Sequence, residues 1–162
     1  MNTLDRTIRE IRSVWGDGED PRLPLQVRDL MADFLTSVDR DEPWLAALLA
    51  EGPRARELHR DADYGFILKG HVHPEGHRRA PHDHGPCWVV YGTYDGQVEI
   101  TTYRRDDPGV APEDAQLAVE GVYDMIPGVC VPFLKGDIHS VHARERSVVF
   151  RFLSGDIPAP NK

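Results

Sequence analysis

The sequence predicts a mainly β protein, an antiparallel sandwich or barrel with a helical portion in front of it. Three observations carry that expectation. Apolar residues recur at spacings of three and four until about residue 50, and then the pattern changes. From about residue 60, short alternating or β-branched runs are punctuated by Gly, Pro and Asp. No helical pattern separates those runs, which argues against βαβ units and a parallel sheet.

The elements follow in order. Leu4, Ile8, Ile11 and Trp15 define one apolar helix face, with Thr3 as the expected cap. Gly16, Gly18 and Pro21 break that helix. Pro24 opens a second, whose apolar face holds Val27, Leu30, Met31, Phe34 and Val38. Pro43 starts a third at a first-turn position, where a missing N–H costs nothing, and Gly52-Pro53 ends it. Residues 1–52 hold too little apolar surface for a core of their own, so they are expected to cover a sheet. Strands are expected at 64–72, 87–94, 97–104, 116–123, 129–134, 138–141 and 147–153. The run VVYGTY-DG-QVEITTY reads as a hairpin turning at Asp95-Gly96. The β core is placed at about 60–154 of a single domain spanning 1–162, and the terminal GDIPAPNK is expected to be loose.

Composition narrows the function. Hydrophobic residues are 40% and charged residues 28% of the 162, a globular balance. Nineteen Lys and Arg against 27 Asp and Glu leave a net charge of −8, which disfavours a broad nucleic-acid surface. No apolar run approaches a membrane span, and the amino-terminal MNTLDRTIREIRSVW does not read as a signal peptide. Two cysteines, Cys87 and Cys130, make no disulfide framework, so a reducing, cytoplasmic setting is expected. Eight histidines fall between residues 59 and 142.

His82-Asp83-His84 is the sharpest local signal. Alternate residues of an extended segment share a face, so both imidazoles converge while Asp83 points away. A third nitrogen is offered by His139 in Gly136-Asp137-Ile138-His139, on another short strand. The competing reading leaves His82 and His84 to surface water or carboxylates, with His139 structural. His71 and His73 form a second such pair before Pro74, suited to the cavity mouth or to supporting ligands, with alternative metal ligation as a further reading.

The segment from Gly76 through His84, a glycine followed after five residues by H-x-H, resembles the first metal motif of the cupin superfamily. Gly136 through His139 resembles the second. Within that superfamily, PHDHGPCWVVYGTYDGQVEITTY resembles the thiol dioxygenases related to cysteine dioxygenase. The resemblance covers 54–156, and the helices before it match a helical cap. It implies a double-stranded β-helix (jelly-roll) barrel and a mononuclear Fe(II) site held by His82, His84 and His139. The implied activity is oxidation of a small thiol carboxylate to a sulfinate with dioxygen. Trp88 stands where many cupins place a glutamate ligand, which suits a three-histidine site. The same ligands accept Zn, Ni, Co or Mn, and zinc-bound water is the rival chemistry.

For the substrate's carboxylate, the resemblance points near Arg60, whose alternative role is a rim salt bridge to Asp61 or Asp63; Arg56, Arg78 and Arg79 are further choices. His142 is weighed as a proton carrier against a surface histidine. Thiol dioxygenases commonly place a Ser-His-Tyr network beside iron. Here Arg151 and Leu153 fall at its His and Tyr positions, so either the correspondence slips or the network is absent and Arg151 binds an anionic substrate itself. The expected partners are therefore a small anionic thiol and dioxygen, with no nucleic acid or membrane, in a monomer or homodimer. The alternatives are another metal-dependent cupin enzyme (a carbon–carbon-cleaving oxygenase or an isomerase) and a non-catalytic small-molecule-binding cupin.

Overall fold

The computed structural model describes residues 1–106 and 116–157. Three helices lead, α1 (Thr3–Trp15), α2 (Leu23–Ser37) and α3 (Pro43–Ala50). Nine strands follow: β1 (Arg54–Arg60), β2 (Ile67–His73), β3 (Arg78–His82), β4 (Val89–Asp95), β5 (Val98–Arg105), β6 (Leu117–Met125), β7 (Cys130–Phe133), β8 (Ile138–Ala143) and β9 (Ser147–Leu153). One sheet has the order β1-β2-β9-β4-β7 and the other β3-β8-β5-β6. All the pairings are antiparallel.

The order has a simple logic. Strands β2 to β5 pass alternately between the two sheets, and β6 to β9 return alongside them. Thus β2 pairs with β9, β3 with β8, β4 with β7 and β5 with β6. That winding is the double-stranded β-helix, or jelly roll, whose two sheets face each other across one interior. It also places a residue of β3 beside one of β8, although the two are far apart in sequence.

Each face of the first sheet is covered, which is why β9, Ser-Val-Val-Phe-Arg-Phe-Leu, is buried along its whole length. Val148, Phe150 and Phe152 face the helices, in a cluster with Ile11, Val27, Met31, Phe34, Leu45 and Leu48. Phe34 meets Phe150 edge-on at 5.1 Å, and Trp88 stacks on Phe152 at 5.3 Å. Close approach of helix to sheet needs glycine at two places: a Cβ on Gly70 would lie 2.8 Å from Leu48, and one on Gly92 2.7 Å from Leu35. Val149 and Leu153 face the other way, into the space between the sheets, with Ile67, Val89, Tyr91, Val98, Ile100, Phe133 and Val141.

Three expectations need correction. The Asp95-Gly96 turn does not make a hairpin: β4 and β5 lie in different sheets, and the turn carries the chain from one to the other. Alternation and a turn signal a reversal without saying which sheet receives the next strand. Asp95 has no positive φ, as a type I′ turn would demand. The α1 cap is Asn2, whose side chain accepts from the Asp5 N–H at 2.8 Å, whereas Thr3 is the first helical residue. Strands β1 and β3 fall at sites with no predicted strand, and β1 lies before the expected start of the β core. Of the terminal segment, the part beyond Ile157 lies outside the described residues.

Candidate metal centre

Residues His82 and His139 are direct cross-strand partners in the β3–β8 register. Their rings are 4.6 Å apart between centroids. Strand β3 ends at His82, so His84 is delivered by the segment just beyond it, with Asp83 exposed and its Oδ1 accepting the Gly85 N–H at 2.9 Å. His84 still converges, 5.0 Å from each of the other two rings. One ligating nitrogen from each imidazole lies within 4.8 Å of the others.

The donor chemistry fits a divalent ion. His84 and His139 are 2% and 0% exposed, yet His84 Nε2 and both ring nitrogens of His139 have no hydrogen-bond partner. Buried polar nitrogens without partners are expensive, and three imidazoles aimed at one point share a single remedy. Burial pushes His84 down to about 3 and His139 down to about 2, with the neighbouring imidazoles and the charges of Arg79 and Arg151 acting in the same sense. His82 is lowered by burial too. Neutral imidazole is the ligating form. His82 Nδ1–H donates to the Ala80 carbonyl at 2.8 Å, leaving Nε2 as its ligand atom. Phe133 stacks on His139 at 4.0 Å and fixes the plane of that ring.

Beside this cluster lies a cavity of about 490 Å³, lined by residues that include Lys69, His71, His73, His77, Arg79, Tyr91 and Arg151. Strand alternation puts Lys69, His71 and His73 on the inner side of β2, and Arg151 inside β9. Tyr91 connects the two places, since it lines the cavity and its ring lies 6.2 Å from His139, edge to face. Burial raises the Tyr91 hydroxyl's pKa, so it stays protonated. The inward register of Tyr91 on β4 and Lys69 on β2 is the signal that finds these two residues.

The remaining candidates lie elsewhere. Arg60 is at the end of edge strand β1, about half exposed, with its guanidinium bound by Glu57 at 2.9 Å and Asp156 at 2.8 Å. Neither Asp61 nor Asp63 is its partner; both hold Arg12 instead. His142 sits on the opposite side of β8 from His139 and Val141, on the outer surface with Arg78 and Glu99 as cross-strand partners. Trp88 points into the helix-covered core, away from the triad. Leu153 is buried in the apolar space between the sheets.

No family model matches the chain, and no curated protein sequence matches it either. Solved structures do resemble it. The cupin domain of Cnp3 from Schizosaccharomyces pombe is 12% identical, matching 63% of this chain and 64% of that one at a TM-score of 0.48. KdgF from Halomonas sp. is 14% identical over 63% of this chain and 79% of that one, also at 0.48. A cupin-2 domain protein from Shewanella frigidimarina is 14% identical over 72% and 92%, again at 0.48. At such identities the likeness concerns the fold alone, and the match spans just under two thirds of the Cnp3 chain. The strand order and the histidine cluster define the class: a double-stranded β-helix barrel with a candidate three-histidine metal centre and a helical segment packed on one sheet.

Proposed function

We propose that the protein is a mononuclear Fe(II) enzyme that oxidises the sulfur of a small thiol carboxylate to a sulfinate with dioxygen. The convergence of His82, His84 and His139 beside a cavity containing a buried arginine carries this reading. Three neutral ligands would hold the ion. Iron, if bound there, would supply the redox chemistry that activates dioxygen toward a thiolate.

The chain's own groups do the rest. Arg151 offers its fork to the carboxylate, and its Nε, buried without a partner, is the open donor. Tyr91 keeps its proton, with Arg151 as its cross-strand neighbour and the His139 ring 6.2 Å from its own. Phe133 and Val141 close the apolar side and limit water. The reaction balances without another reductant: both atoms of dioxygen end on the sulfur, and the thiol hydrogen leaves as the acid proton of the sulfinic product.

A second reading has its own observation. Arg151 and Leu153 occupy the positions of the familiar His and Tyr, which favours another metal-dependent cupin enzyme, such as a carbon–carbon-cleaving oxygenase or an isomerase. Anaerobic loading with Fe(II), followed by oxygen uptake and mass spectrometry, separates them. The proposal requires one oxygen consumed per thiol and a product heavier by two oxygen atoms. Uptake with a diketone but with no thiol carboxylate rejects it.

A further inference from the structure

Arg151 is only 6% exposed, and its two cross-strand neighbours are Lys69 on β2 and Tyr91 on β4. Like charges placed directly opposite across antiparallel strands repel. A buried guanidinium without a counter-charge is also strongly disfavoured. Among the described residues, no Asp or Glu lines this cavity, although the chain as a whole carries a net charge of −8. Arg54, at the rim, is already bound by Glu51 at 2.9 Å. Lys69, Arg79 and Arg151 remain as the positive groups of the lining.

Two further donors face the same space. His71 and His73 are 8% and 7% exposed, and the Nε2 atom of each is buried without a partner. Their rings lie 5.3 Å apart, and His73 stacks face to face on His77 at 4.2 Å. Burial and nearby positive charge push His71 down to about 2 and His73 to about 4. Both are therefore neutral near pH 7, each bringing an N–H rather than a charge. One carboxylate on Arg151 would leave both imidazoles without a partner, and Lys69 with only Glu57 across the strand, a carboxylate already bound to Arg60.

We propose that the cavity binds a small dianion, with one anionic group on Arg151 and the second on Lys69 and the imidazole N–H groups of His71 and His73. The inference rests on the function proposed above, in that the first group is the carboxylate of that substrate. It narrows the substrate to a thiol bearing two acidic groups, either two carboxylates or a carboxylate and a phosphate.

Isothermal titration calorimetry on the full chain, stripped of metal by a chelator, tests it with succinate, inorganic phosphate and butyrate in mildly alkaline buffer. At least one dianion is expected to bind about tenfold more tightly than butyrate. Preference for phosphate marks a compact second group, and preference for succinate an extended one. Lys69→Gln should erase the dianion's advantage, weakening the dianion more than butyrate; Arg151→Lys, which keeps the charge and loses the fork, should weaken all three. Equal affinity for butyrate and both dianions, no binding of any probe, or a dianion preference that survives Lys69→Gln overturns the inference. The two proposals fail separately: absence of a metal or of thiol oxidation leaves this titration unchanged, and a flat titration leaves metal stoichiometry and oxygen uptake untouched.

Discussion

The barrel contains two H-x-H pairs with the same spacing and different surroundings. His71 and His73 lie at the C-terminal end of β2, the strand between β1 and β9 in the first sheet. The cross-strand partner of His71 on β9 is Val149, and that of His73 is Ser147. His82 and His84 straddle the end of β3, and the partner of His82 on β8 is another histidine, His139. One pair thus gains a third imidazole from the strand across and becomes a candidate metal centre; the other, with His77 stacked on His73, faces Arg151 and Lys69 and becomes a wall of hydrogen-bond donors. Spacing puts two imidazoles on one face, and the strand across from them decides what they do.

Removing the third imidazole breaks the comparison most sharply. His139→Ala should lower divalent-metal affinity by more than about 100-fold, beyond the 10- to 100-fold typical of losing an outer partner of a ligand. Competition with a chromophoric chelator measures it. Acid sensitivity comes next; in metal-free protein the triad, lowered by burial as well, shares it with the other pair. His71 and His73 have folded-state values below the ordinary histidine value of 6.5. As pH falls below about 6.5, the unfolded chain takes up protons that the native chain refuses. The stability contributed by their neutral burial is therefore present above that pH and is lost on acidification, for His73 down to about 4 and for His71 down to about 2. Each contributes a slope of at most about 1.4 kcal/mol per pH unit. Urea unfolding of metal-free protein across that range should show the slope, and His71→Gln with His73→Gln should reduce it by that pair's share while the triad's share remains.

Smaller effects sharpen the contrast. Phe133→Leu keeps an apolar side chain but removes the ring stacked on His139, and should weaken metal binding by about tenfold or less while leaving stoichiometry at one. The double variant His71→Gln, His73→Gln should leave metal stoichiometry unchanged. Elemental analysis after desalting checks both, and a drop to zero in the double variant would mean that the second pair, not the first, holds the ion.

Much of this architecture is legible in the sequence. The three helices announce themselves because Leu4, Ile11 and Trp15, or Val27, Met31 and Phe34, repeat at helical spacing and are all buried. Strand β9 was legible for a similar reason, and its alternation already separates Phe150 and Phe152 from Arg151. Strand β1, Arg-Ala-Arg-Glu-Leu-His-Arg, was not, because an edge strand with mostly exposed side chains carries no apolar alternation. Strand β3 is short and exposed, with Pro81 inside it, and so lacks a strand signature as well. At the site, His82, His84 and His139 were readable as donors from spacing and resemblance. Their meeting depends on the pairing of β3 with β8, which no local pattern contains. Arg60 shows the reverse: its neighbours in sequence suggested Asp61 or Asp63, and folding brings Asp156 to it from the far end of the chain.

The central claim is that a single metal ion is held by His82, His84 and His139. A crystal structure of the Fe(II)-loaded protein, with anomalous data collected at the iron edge, tests it directly. The account predicts one peak, within about 2.0–2.2 Å of one nitrogen from each of the three imidazoles. A peak between His71 and His73, or no peak at the triad in protein that elemental analysis shows to be loaded, would contradict it.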